Sequence, residues 1–140
     1  MIKYFSLIVF LTFSSYSFAY VDIDKACNEK EEQKNSLLTR MSTSLIEAHL
    51  AGQCTGYNNY NLDELIDACA EFVEQKESLI PSLSTSILEA NLSGICVGAI
   101  YRIAIKKCDQ TFLEIKYLDV AKAVVLKNDV SSIQYGIRCY

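Results

Sequence analysis

The chain has 140 residues, with 17 acidic side chains against 13 basic ones, a single histidine and six cysteines. Its net charge of −4 disfavours a nucleic-acid partner, because phosphates demand a basic face. With 51% hydrophobic residues the chain is long and apolar enough for one packed domain, yet short enough for covalent staples to help.

Met1-Ile2-Lys3 is a short positive start, Tyr4 to Phe13 an apolar run, and Ser17-Phe18-Ala19 a small-x-small cleavage site. Residues 1–19 therefore read as a secretory signal peptide removed before Tyr20. The run is too short for a comfortable membrane span, no lipid-accepting Cys follows it, and no later segment is expected to be long enough to cross a bilayer. The mature part, 20–140, is expected to form a single all-α domain. Without Lys3 it carries 12 basic and 17 acidic residues, net −5. Residues 22–89 are net −8 and residues 91–140 net +3. Such an imbalance can steer a charged partner, although solvated helix faces account for it more simply.

Residues 27–56 return 42 residues later as 69–98, with 16 of 30 positions identical and no gap. Each copy opens on Cys and closes on Gly-x-Cys-x-Gly, so the chain contains a duplicated supersecondary unit. Within each copy, Ser44-Leu45-Ile46-Glu47 and Ser86-Ile87-Leu88-Glu89 match the capping box that starts a helix. Tyr57-Asn58-Asn59-Tyr60-Asn61 reads as a loop between the copies. Asn61 is a candidate N-cap for the helix that follows, and Asp63 and Glu64 sit where the helix dipole favours anions. Leu62, Leu65, Ile66, Cys69, Phe72 and Val73 form its apolar stripe. Pro81 suits the first turn of a new helix and not a helix interior, and that next helix carries Leu88, Leu92, Ile95, Cys96, Ala99 and Ile103 on one face. Lys30 and Glu31 stand where the second copy has Phe72 and Val73, which places the first helix at an edge and the second copy at the centre.

All six cysteines lie after the leader, and an even count in an exported chain implies three disulfides. Helix geometry selects the pairs. With a turn near Pro81, legs of about 18 Å and 22 Å at ~1.5 Å per residue bring Cys69 and Cys96 to one height. The same holds for Cys27 and Cys54 with a turn near Arg40. One straight helix would hold each pair about 40 Å apart, far beyond the roughly 5.5–6 Å between the Cα atoms of a disulfide. Cys108 and Cys139 then pair by elimination, closing a third, degenerate copy over 108–139. In it Val120 to Leu126 is a buried helix and Thr111 to Leu118 belongs to the same region. The expected fold is thus all-α: disulfide-stapled antiparallel helical hairpins in a tandem 42-residue repeat.

The candidate chemical residues are few. His49 has no nucleophile or acid that spacing places beside it. Glu47 and Glu89 are explained by their capping boxes. The cysteine spacings lack the short C-x-x-C pattern and histidine partners of a zinc site, so no metal or other cofactor is expected. Gly52, Gly56, Gly94 and Gly98 offer a small-residue face to a neighbouring helix, with helix-end punctuation as the alternative at Gly56. Asn91-Leu92-Ser93 is a chance glycosylation sequon inside a helix. Tyr57, Tyr60, Tyr101, Tyr117, Tyr135 and Tyr140 fall in loops or near helix ends, and tyrosine suits partly wet contacts. The segment Tyr57, Asn58, Asn59, Tyr60 is the candidate partner-binding edge.

Cys54-Thr55-Gly56-Tyr57, with Asp63 nine residues after the Cys, is similar to the C-x-G-Y…D signature of periplasmic amidase-immunity proteins of the Tai/Rap type, and Cys96-Val97-Gly98 echoes half of it. The likeness covers about ten residues. Tyr60 stands where that signature has Gly, a Cys-x-Pro element is missing, and the duplication is foreign to the pattern. The resemblance implies a small exported helical protein with disulfides that neutralises a cell-wall-degrading toxin by binding it. The functional expectation is an exported, non-enzymatic protein-binding module, secreted or periplasmic, with a protein partner and with neither nucleic acid nor membrane after leader cleavage. A secreted carrier of a small apolar ligand is the alternative. A secreted hydrolase is weaker, because no polar triad converges.

Overall fold

The computed structural model describes residues 21–35, 44–78, 85–109 and 113–140, so the expected leader and the expected turns near Arg40 and Pro81 lie outside the described residues. The described residues are 80% helical. In chain order they form α1 (Ile23–Asn35), α2 (Leu45–Asn58), α3 (Leu62–Glu77), α4 (Ile87–Cys108), β1 (Leu113–Ile115), α5 (Tyr117–Lys127), a 3-10 helix (Val130–Gly136) and β2 (Ile137–Cys139).

Side chains at the starts of α1, α2, α3 and α4 explain where those four helices begin. The first backbone N–H groups of a helix have no partner within it and need an outside acceptor. For α1, the Asp22 carboxylate accepts from the Lys25 N–H at 3.0 Å. Both expected capping boxes form. Ser44 Oγ accepts from the Glu47 N–H at 3.2 Å while Glu47 returns a carboxylate to the Ser44 N–H at 2.7 Å. Ser86 and Glu89 repeat the exchange at the start of α4. Asn61 caps α3, accepting from the Glu64 N–H at 2.7 Å.

Three disulfides join Cys27 to Cys54, Cys69 to Cys96 and Cys108 to Cys139. Cα separations of 4.9, 4.9 and 5.3 Å lie in the range that a disulfide requires. The first two close segments of equal length, 27 residues apart in sequence. In the loop-entropy account each contributes about 3–4 kcal/mol.

The core gathers around α4, which packs against α2, α3, α5 and β1. Leu65 of α3, Ile100 of α4, Val120 and Val124 of α5 and Ile133 of the 3-10 helix are fully buried around the Cys69–Cys96 bridge. Burial of each such side chain is worth about 1.5–3 kcal/mol. α1 rests chiefly on α2 and buries only Ala26 within the helix, as its Lys30 and Glu31 foretold. Two expectations are corrected here. Leu88 belongs to the helical stripe but is 69% exposed, because it sits in the first turn of α4. And α4 is long and apolar enough to cross a bilayer by length and composition: 22 residues, with mean hydropathy 1.3 in its best window. The fold supplies another use for that apolarity, since 61% of the window is buried inside the protein.

α2 and α4 meet along their glycines. A Cβ placed on Gly52 would stand 2.1 Å from the Asn91 carbonyl oxygen, and one on Gly94 would stand 2.1 Å from that of His49. One turn further on, Gly56 faces the Ile95 oxygen and Gly98 the Gln53 oxygen, each at 2.0 Å. Both residue series ascend together, so the helices run parallel. The contacts are also reciprocal. Positions 49, 52, 53 and 56 in one helix match 91, 94, 95 and 98 in the other, at the 42-residue offset of the duplication. Each glycine turns a Cα–H toward a carbonyl of the other helix, the weak contact that recurs where helices approach closely. Gly56 is therefore a packing residue and not helix-end punctuation. Ala48 and Ala90, both buried, extend the small-residue face by another turn.

The segment after α4 departs from expectation. It is no third helical hairpin. α4 ends at Asp109 and α5 at Asn128, both in the left-handed region with φ of 46° and 50°, a conformation Asn and Asp tolerate better than most residues. Between and beyond these stops, Leu113, Glu114 and Ile115 pair antiparallel with Cys139, Arg138 and Ile137. The Cys108–Cys139 bridge thus ties a strand, not a returning helix, to the end of α4. Lys107 adds a second tie, donating to the Gln134 and Ile137 carbonyls at 2.8 and 3.4 Å.

Candidate functional site

The corner between α2 and α3 carries the residues singled out as a partner-binding edge. It is short: α2 ends at Asn58 and α3 begins at Leu62. Asn59 leaves the helix in extended backbone with its N–H still bonded to the Thr55 carbonyl at 2.9 Å. Beneath it, Arg102 of α4 donates to the carbonyls of Tyr57, at 2.7 Å, and of Asn58. These are end carbonyls of α2, which lack partners within the helix and carry its negative dipole end. A guanidinium answers both needs. The Asn58 amide lies over the first bridge, donating to Cys54 Sγ at 3.2 Å and Cys27 Sγ at 3.5 Å.

The four side chains split into two pairs. Asn58 and Asn59 are exposed. Tyr57 and Tyr60 are half-buried against the core, and the Tyr57 ring stands 6.2 Å from that of Tyr101. Both tyrosines thus belong to the core periphery while part of each stays accessible to solvent. Asp63, the acidic residue of the signature-like stretch, is exposed on the first turn of α3. Sequence reasoning missed Arg102. Its signal was an isolated cation among Ile100, Tyr101, Ile103 and Ala104, where a charge needs a stated partner.

The other candidate residues serve the fold. His49 Nδ1 lies 3.3 Å from the Ala90 carbonyl oxygen, and the Asn91 amide donates to the Ala48 carbonyl at 3.1 Å. The two residues stand 42 positions apart, at matching places in the two similar segments, and make the same contact in opposite directions across the α2–α4 seam. Burial holds the His49 pKa below its ordinary value, against the raising effect of the Ala90 bond. Asn91, the sequon residue, has its amide engaged in this seam. Glu47 and Glu89 are occupied by their capping boxes. Tyr117 is half-buried with its hydroxyl unbonded, and burial pushes its phenol well above the ordinary range. Among the described residues no group of three His, Cys, Asp or Glu side chains is disposed to hold a metal ion.

A cleft of about 200 Å³ opens between α5, the 3-10 helix and the small sheet. Its walls carry Glu114, Lys116, Asp119 and Arg138. This cleft is smaller and more charged than the mainly hydrophobic sites of roughly 300–1,000 Å³ that hold small apolar ligands.

Neither a family model, nor a curated protein, nor a solved structure matches the chain. Three intramolecular disulfides are typical of proteins outside the cytoplasm, whether extracellular or periplasmic.

Proposed function

We propose that the protein is an exported, non-enzymatic binding module that engages a protein partner through the α2–α3 corner. Its scaffold is a tandem pair of stapled helical hairpins, one per copy of the duplicated unit, with the segment after Cys108 as a variant end-piece. The observation that carries this reading is the fixation of so short a corner. Arg102, the Cys27–Cys54 bridge and the Tyr57–Tyr101 contact hold it from below, while Asn58 and Asn59 face solvent between two half-buried tyrosines. A surface already ordered in the free protein loses little conformational entropy on binding. Tyrosine flanked by small polar groups is also a composition favoured at recognition surfaces.

The concrete version is a periplasmic inhibitor or immunity protein, suggested by the likeness at Cys54-Thr55-Gly56-Tyr57 and Asp63. The test is capture from an extract of the producing organism, followed by titration of the purified captured protein. Asn59→Arg is the chosen variant, because Asn59 is exposed and its fixed contact is made by the backbone. The expected result is at least a tenfold loss of affinity with an unchanged circular dichroism spectrum. Undiminished binding by Asn59→Arg and by Tyr60→Ser would remove the corner as the binding edge.

A further inference from the structure

We infer that the cleft between α5, the 3-10 helix and the β1–β2 sheet is a binding site for a small zwitterion of amino-acid size. This goes beyond the protein-binding role of the α2–α3 corner and does not depend on it. Glu114, Lys116, Asp119 and Arg138 line one cleft, two charges of each sign. None of the four is in an ion pair; among the described residues the ion pair found joins Lys122 to Glu77.

The sheet register sharpens the point. Glu114 and Arg138 are directly opposite each other on the antiparallel ladder, a position where a carboxylate and a guanidinium are neighbours on one face and attract. Glu114 instead accepts a hydrogen bond from the Tyr140 hydroxyl at 2.9 Å. Arg138 is exposed and lines the cleft together with Lys116. Asp119 is exposed on the first turn of α5. A ligand with a carboxylate to face the two cations and an ammonium to face the two carboxylates would meet opposite charge at both of its ends. The planar guanidinium is the side chain best shaped to receive a carboxylate through two parallel bonds.

The walls are held in place before any ligand arrives. The Cys108–Cys139 bridge fixes β2, and the Lys107 bonds to Gln134 and Ile137 fix the junction of the 3-10 helix with β2. Lys127 lies over the Tyr135 ring, 4.8 Å from its centroid, and Tyr135 forms part of the lining. Gly136 lets that segment close on α5, where a Cβ would stand 2.2 Å from Val120 Cγ2. At about 200 Å³ the cleft lies below the roughly 300–1,000 Å³ of drug-sized sites, which favours a ligand as small as one amino acid.

The experiment is an NMR titration of the ¹⁵N-labelled, disulfide-intact chain with L-leucine, N-acetyl-L-leucine and L-leucinamide. The second ligand lacks the cation and the third lacks the anion. The expected result is saturable shifts with L-leucine at the amides of residues 114–119 and 135–138. Each singly charged analogue should bind about tenfold more weakly, as should Arg138→Ala and Asp119→Asn toward L-leucine, one lost charged contact being worth about a factor of ten. Amide spectra of the variants away from the cleft show whether each is folded. Equal binding of all three ligands would overturn the two-charge site. The absence of any saturable shift up to about 20 mM, a concentration that reveals even binding worth only ~3 kcal/mol, would overturn the site itself.

Discussion

Gly98→Ala is the sharpest test of the α2–α4 seam, because helix propensity and packing predict opposite signs. In an ordinary helix interior, replacing Gly by Ala stabilises by up to about 1 kcal/mol. At Gly98 the new Cβ would lie 2.0 Å from the Gln53 carbonyl oxygen, 2.8 Å from its carbon and 2.9 Å from its Cα. All three are backbone atoms, so no side chain can swing aside. To restore a contact above 3.0 Å, which real Cβ atoms keep, α4 must retreat from α2 by about 1 Å. A radial gap of 0.5–1 Å already forfeits roughly a quarter to a half of each contact's attraction, and the retreat is shared by every pair along 48–56 and 90–98. Overpacking of this kind costs about 1–3 kcal/mol. With the upper end set against the propensity gain, the net loss is about 2 kcal/mol, or roughly 8 °C in melting temperature for a chain of this size. Urea unfolding of the oxidised protein, followed by circular dichroism, reads the loss directly. Ala70→Gly, on the exposed side of α3, calibrates the propensity term alone and should lose about 1 kcal/mol. Should Gly98→Ala prove more stable than the parent by the ~1 kcal/mol that propensity alone gives, the two helices do not touch at their glycines and the seam is wrongly drawn.

Acid should loosen the same seam. Burial holds the folded-state pKa of His49 below the 6.5 of the unfolded chain, so the unfolded chain takes up the proton first. Stability is then complete above about pH 6.5 and falls as pH drops through 6.5 toward the folded value. His49→Asn, which copies Asn91 on the other helix, should flatten the difference between melting curves taken at pH 7.5 and pH 5. A double Cys27→Ser, Cys54→Ser variant should lose about 3–4 kcal/mol, and hydrogen exchange should show the loss concentrated in α1 and the end of α2. Arg102→Met keeps the aliphatic stem but leaves the Tyr57 and Asn58 carbonyls without their charged donor. It should cost about 1.5–3 kcal/mol and speed amide exchange at residues 57–61, and unchanged exchange there would show that Arg102 does not hold the corner.

The helix starts and the stapled pairs could be read from the chain because each depends on local chemistry. Ser44 with Glu47, and Ser86 with Glu89, encode their own hydrogen bonds within four residues. Two of the cysteine pairs follow from rise per residue once a turn is placed midway between them, and the third follows by elimination. The seam was half legible: the glycines announced that something approaches closely, but no local rule says that α4 meets α2 in parallel, or that His49 and Asn91 trade contacts across the duplication. The segment after Cys108 was misread for a definite reason. Its strands, Leu113–Ile115 and Ile137–Cys139, are three residues each, too short for an alternating pattern to stand out, and they find each other across 21 intervening residues. The positive φ values at Asp109 and Asn128 that stop the helices depend on backbone conformation, which residue type only permits. Of the corner, sequence gave the exposed asparagines and the tyrosines, while Arg102 comes from 44 residues away and becomes visible only once α4 lies beneath α2.

Each disulfide begins and ends on one side of Asn59: one bridge before it, two after, none across. A protease nicking the backbone between Asn58 and Leu62 would therefore release two separate polypeptides, each still internally cross-linked, with no reductant required. Whether they drift apart or remain mated rests on the noncovalent contacts of α2 with α4 and of the corner with Arg102. The strength of that union then becomes a dissociation constant, measurable by mixing the two pieces.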